Sequence, residues 1–182
     1  YSHVPAAAFS FLSFALAMHL RHNTAKNPGF VAFSSGIAAS WAVLIEPSTV
    51  LMLAATVLYL LTNAAGRRAL PLFLAGCVPA GLLQCWYNSA CFGGPFNSSY
   101  EYANDMVMVR INGKLFGWPR IENIAGLLLL PYRGLFVSSP VYLMALPGAV
   151  LFFTMRPWRA EALFFTMVTV LFLLYIASFF AW

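Results

Sequence analysis

Charge is the first thing this sequence lacks. Only 8% of its 182 residues are Asp, Glu, Lys or Arg, against roughly 25% in a soluble globular domain. So few charges cannot cover a water-facing surface, because at this length much of the folded surface still meets solvent. Cysteine is scarce too. Cys77, Cys85 and Cys91, at spacings of eight and six, form neither a CxxC pair nor a zinc pattern. Cys77 and Cys85 lie in an apolar run, where the thiol behaves as a small hydrophobe. Cys91 is the one expected to meet water. GxSxG, HExxH, Walker A and a GxGxxG in context are all absent, as are channel-filter loops and broken-helix pairs. No internal repeat is evident.

What the sequence has is apolar length. Hydrophobic residues make up 62% of it and the mean hydropathy is +0.79. The composition predicts an all-α membrane protein, a single transmembrane domain over 1–182, with about six spans. The runs are Val4–Leu20, Phe30–Ile45, Ser48–Thr62, Leu70–Tyr87, Val137–Met155 and Ala162–Trp182. As one helix, 30–62 would reach roughly 50 Å, well beyond a hydrocarbon core of about 30 Å. It therefore breaks at Glu46-Pro47-Ser48, where Pro removes a helical donor and Ser can cap a new start. Pro79 predicts a kink in the fourth span, and Ala65-Gly66-Arg67-Arg68 a turn before it.

Six spans place Arg21, Lys26, Arg67, Arg68, Arg156 and Arg159 on one side, the cytoplasmic side by the rule that positive loops stay inside. His3, Glu46 and a long loop over 88–137 then face outward. The net charge of +5 is explained by the cytoplasmic turns and needs no nucleic-acid partner; membrane lipids are the expected surroundings.

The outer loop mixes Glu101, Asp105, Arg110, Lys114, Arg120, Glu122 and Arg133 with Tyr100, Tyr102, Trp118 and Tyr132, and Tyr87 and Asn88 stand at its entrance. Aromatic faces suit a ring, carboxylates and amides suit hydroxyls, and Arg suits phosphate. An interfacial loop with solvated charges explains the same residues. Asn112-Gly113, flanked by alternating apolar residues, predicts a hairpin. IENIAGLLLL predicts a short interfacial or re-entrant helix ended by Pro131. Arg133 beside the fifth span is placed for a lipid phosphate, or for snorkelling to headgroups. His3, at the mouth of the first span, can bind a metal or a phosphate, or simply pack there. Glu46 fits ordinary helix-start chemistry. Asn97-Ser98-Ser99 is a formal glycosylation sequon.

YSHVPAAAFSFLSFAL, WYNSACFGGPFNSSYEY and LPYRGLFVSSP, in that order, resemble bacterial multi-spanning glycosyltransferases of the GT-C superfamily, related to the protein mannosyltransferases and aminoarabinose transferases. The positions that carry the resemblance are Tyr87-Asn88, Phe92-Gly93, Pro95, Tyr100, Gly126-Leu127, Pro131, Arg133-Gly134-Leu135-Phe136 and Ser139-Pro140. The resemblance implies a bacterial inner-membrane enzyme. It would move a sugar, with inversion, from a polyprenyl-phosphate donor to an acceptor on the extracytoplasmic face. An acidic residue acts as base or holds a divalent metal, and basic groups hold the donor phosphate. The family's principal acidic residue lies in the first outer loop, upstream of the matched region. The chain, opening on YSHVPAAAFSF, is therefore expected to be a fragment without that base, and its metal ligands stay unassigned. His3 becomes a donor-site group, and Glu101 and Asp105 candidates for acceptor or metal contact. A flippase or transporter of a lipid-linked sugar, or a structural membrane protein, are the alternatives. A transporter should carry charge at mid-membrane, and these spans have almost none.

Overall fold

The computed structural model describes residues 2–97, 117–131 and 134–178, all of it helix, turn or irregular chain. It forms two compact units, Tyr1–Tyr102 and Ala103–Trp182.

The first unit holds α1 (His3–Arg21), α2 (Pro28–Ile45), a 3-10 turn at Pro47–Thr49, α3 (Val50–Leu61) and α4 (Ala64–Phe92). The break at Glu46-Pro47 falls where expected. Glu46 turns extended (φ −144°, ψ 102°), and its carbonyl accepts the amide and hydroxyl of Thr49 at 3.0 and 2.8 Å. Asn27 starts α2, its side chain accepting the Phe30 amide, with Pro28 in the first turn. Asn23, in the left-handed region at φ 58°, ends α1, and the Thr24 amide reaches back to the His19 carbonyl at 3.1 Å. Asn is one of the few side chains that tolerate this backbone.

Expectation and structure part at both ends of α4. Arg67 and Arg68 were expected in a turn; they lie inside the helix, because the Asn63 side chain caps it three residues earlier by accepting the Gly66 amide at 2.7 Å. At the far end the fourth span was expected to stop at Tyr87 and Asn88 to open the loop over 88–137, yet the helix continues to Phe92. Gln84 Nε2 donates to Asn88 Oδ1 at 2.8 Å, a four-residue pair that supports helix. Gly93, at φ 74°, then provides the left-handed stop. With 29 residues, α4 spans roughly 43 Å and projects past a hydrocarbon core. Pro71 and Pro79 both lie inside it.

Small residues line the packed face of α2: Ala32, Ser35, Gly36, Ala38, Ala39, Ser40 and Ala42 are all buried. A Cβ on Gly36 would fall 1.9 Å from the Phe73 carbonyl oxygen, and one on Gly76 would fall 2.2 Å from that of Phe33. Backbones that meet so closely are how helices associate where lipid removes the hydrophobic drive. Ser35 Oγ donates to the Ser13 carbonyl at 2.8 Å, tying α1 to α2. Phe14 rests on Tyr59, ring centroids 5.1 Å apart. Large apolar side chains such as Phe11, Phe30, Leu58, Leu82 and Trp86 point outward, the pattern of a lipid-facing surface.

The second unit holds α5 (Ile121–Leu129), the single turn α6 (Leu135–Ser138), a 3-10 stretch (Pro140–Met144), α7 (Ala145–Thr154), a 3-10 turn (Arg156–Trp158) and α8 (Arg159–Ala177). The short helix before Pro131 is thus present. The expected continuous span over Val137–Met155 is instead interrupted: Ser139 is non-helical (φ −144°, ψ 78°) and Pro140 follows it, a residue that biases its predecessor away from helix. Asn123 Nδ2 donates to the Ala177 carbonyl at 2.9 Å and the Gly117 amide to that of Ser178 at 2.8 Å, so α5 and the segment before it cap the end of α8. Glu161, in the first turn of α8, is buried.

Among the described residues, four helices are long and apolar enough to cross a membrane: His3–Arg21, Pro28–Ile45, Ala64–Phe92 and Arg156–Ala177, the last counting the 3-10 turn before α8. Pro47–Leu61 and Pro140–Thr154 are apolar but shorter.

Candidate functional site

The up-and-down order of α1 to α4 gives the first unit two chemically distinct ends. One gathers the C-terminus of α1, the N-terminus of α2, the C-terminus of α3 and the N-terminus of α4. It carries Arg21, Lys26, Arg67 and Arg68. The other gathers His3, Glu46 and the C-terminus of α4. About 27 Å of α2 separates them.

At the second end α2, α3 and α4 part around a cavity of about 730 Å³. Its wall is mainly apolar: Val43, Leu44, Pro47, Val50, Leu53, Ala80 and Phe92 among others. Ser40, Cys77, Gln84, Cys85 and Asn88 supply the polar groups. The Ser40 hydroxyl is spent on the Gly36 carbonyl at 2.9 Å, and the Cys77 thiol points at the same oxygen from 3.4 Å. The amides are the adaptable groups. Asn88 takes one hydrogen bond from Gln84 and donates Nδ2 to the Pro95 carbonyl at 3.1 Å. That second bond folds the segment after α4 back, so that Pro95 and Phe96 join the lining. Asn97 Nδ2 holds the same segment by donating to the Phe92 carbonyl at 2.9 Å, which occupies the amide of the sequon. Tyr87 also lines the cavity, its ring edge-on to Phe92 at 6.0 Å.

Beside Pro47 the N-terminus of α1 meets the α2–α3 junction. His3 Nδ1 lies 3.2 Å from Glu46 Oε2, and Ser2 Oγ donates to the same oxygen at 3.0 Å. Ser48 Oγ donates to Oε1 at 3.4 Å. His3 is 83% exposed and Glu46 24%, so the pair is a surface contact of small energetic weight.

Among the described residues the lining contains no carboxylate, imidazole or cation. Such a wall suits an apolar body with a hydrogen-bonding end, and the ionisable pair stands next to it.

Of the residues singled out from sequence, Tyr87 and Asn88 share the cavity and His3 pairs with Glu46. Tyr100, Glu101, Tyr102, Asp105 and Arg133, with the hairpin expected at Asn112-Gly113, lie outside the described residues. No three His, Cys, Asp or Glu side chains converge on a metal position among the described residues, so a divalent ion finds no ligand set there. Sequence reasoning passed over Gln84, Ser40, Cys77 and Cys85 as site residues. The available signal was a pair of amides, Gln84 and Asn88, spaced four apart inside an apolar run.

Compared with known proteins, the chain matches no family model, no curated protein and no solved structure.

Proposed function

We propose that this protein is a six-span component of a bacterial inner membrane that takes a lipid-linked sugar from the extracytoplasmic side and transfers the sugar to an acceptor there. The two shorter apolar stretches, Pro47–Leu61 and Pro140–Thr154, complete the six spans. The basic end of the first unit then faces the cytoplasm and the cavity end faces out. The observation that carries the reading is the cavity: apolar walls for a lipid portion, with the amides of Gln84 and Asn88 and the Tyr87 ring where sugar hydroxyls need partners. The resemblance of WYNSACFGGPF and LPYRGLF to membrane glycosyltransferases supplies the reaction class. In it Arg133 holds the donor phosphate, whose developing charge is the main thing such a reaction must stabilise. Glu101 and Asp105 contact the acceptor or a metal ion.

The test is a transfer assay in vesicles carrying the protein, supplied with polyprenyl-phosphate sugars. Turnover should appear with at least one donor, fall sharply in Arg133→Ala with membrane insertion intact, and fall in a Gln84→Leu/Asn88→Leu variant. Unchanged turnover in Arg133→Ala removes Arg133 from the site. Transbilayer movement of the donor without any transfer favours the second reading, a flippase. The near absence of charge at the span centres argues against that reading.

A further inference from the structure

The basic end of the first unit carries an observation that the transferase reading leaves unused. Gly29, in the first turn of α2, abuts α4: a Cβ there would lie 3.3 Å from Leu72 Cδ1. Lys26 stands just before the Asn27 cap of α2, and Arg68 one helical turn before Leu72 on α4. The register therefore brings both cations to the same corner of the α2–α4 pair. Both are exposed, and neither side chain has a hydrogen bond or ion pair among the described residues. Their neighbours are differently employed. Arg21 lies over the Tyr59 ring at 5.2 Å and donates to the Thr62 hydroxyl. Arg67 donates to the Leu61 carbonyl at 3.1 Å. Asn27 commits its oxygen to the Phe30 amide at 3.3 Å, which leaves its Nδ2 as a third donor at this corner. The first unit's described carboxylate, Glu46, is at the opposite end of α2. Immediately toward the apolar side, Phe30 and Leu72 are 68% and 46% exposed.

We propose that this corner is a binding site for an anionic phospholipid of the cytoplasmic leaflet. Lys26, Arg68 and the Asn27 amide take the headgroup phosphate, and Phe30 and Leu72 lie along the first acyl segments. Two cations without a carboxylate leave a positive charge at bilayer-surface depth. An anionic headgroup neutralises it, and surface cations attract such lipids at about fivefold each. Fixed on the ends of two closely packed helices, the pair should select a bound lipid rather than merely concentrate lipids nearby. The proposal rests on the membrane embedding and on the orientation proposed above, and is independent of the transferase reading.

The experiment is lipid retention by native mass spectrometry after exchange into vesicles of phosphatidylglycerol and phosphatidylcholine at equal amounts. Phosphatidylglycerol should be retained over phosphatidylcholine. Lys26→Gln/Arg68→Gln should weaken that preference about thirtyfold, the product of two surface cations. Lys26→Arg/Arg68→Lys should keep it, and Arg156→Gln/Arg159→Gln in the second unit should leave it within about twofold. Inorganic phosphate at millimolar concentration should not displace the lipid; displacement would make this a free-phosphate site and overturn the assignment. Equal retention of the two lipids, or undiminished preference in the charge-removing variant, overturns it as well.

Discussion

The two units are made from comparably apolar sequence, yet they use it differently. The first buries Phe14, Ala32, Leu60 and Phe73 and lets Gly36 and Gly76 bring two backbones together. The second leaves Val141, Met144, Leu146, Val150 and Leu151 largely exposed, and its glycine at position 148 faces open space. The difference teaches that hydrophobicity alone does not pack helices when the surroundings are as apolar as the side chains. Small residues at matched positions do. The first unit has them on α2 and α4, and it also has the cavity. The second has Phe152 of α7 beside Phe165 of α8, ring centroids 6.4 Å apart, and an end contact from Asn123 to the Ala177 carbonyl.

The comparison can be broken most forcefully at the glycines. Gly36→Leu sets a side chain against the Phe73 backbone and should abolish the folded first unit in detergent, read as loss of a cooperative thermal transition. Gly148→Leu, placed in open space, should leave that transition unmoved. If the two variants behave alike, close approach is not what distinguishes the units. Next in size is Phe73→Ala. Phe73 is 0% exposed, and truncating a fully buried Phe typically destabilises by about 3–5 kcal/mol. Leu146→Ala, 58% exposed, should change stability by less than about 0.5 kcal/mol. Both are read from denaturation in mixed micelles. Ser35→Ala sharpens the picture further: removing the bond to the Ser13 carbonyl should weaken the α1–α2 contact by about 0.6 kcal/mol, the typical value for hydrogen bonds between membrane helices. Smallest of all, His3→Ala should shift the same transition by less than about 0.5 kcal/mol, because the Glu46 pair is exposed.

These effects also show what could be read in advance. The break at Glu46-Pro47 was legible because a run too long for a bilayer met a residue without an amide donor. The extent of α4 was not, because polarity suggested a loop where the Gln84–Asn88 pair and the Gly93 stop make a helix. Arg67 and Arg68 looked like turn residues until the Asn63 cap was seen. Serine and glycine on α2 look unremarkable in a linear pattern; their role depends on which helix faces them, and that is long-range information. The cavity is of the same kind, since Val43, Leu53 and Gly81 come from three helices. Tyr87 and Asn88 were recognised as candidates, but the residues of α2 and α3 that complete the cavity with them were not. His3 and Glu46 were each singled out, and their meeting followed only from the antiparallel return of the chain.

Which end of the first unit faces out decides the side of the membrane on which the proposed chemistry falls. Cys91 is exposed in the last turn of α4, at the cavity end. With Cys77 and Cys85 changed to Ala, an impermeant maleimide applied to intact cells should label Cys91 directly, whereas a cysteine placed at Lys26 should react only after permeabilisation. Labelling of position 26 from outside, with Cys91 reached only from the cytoplasm, would contradict the orientation and leave the proposed sugar chemistry on the wrong side of the membrane.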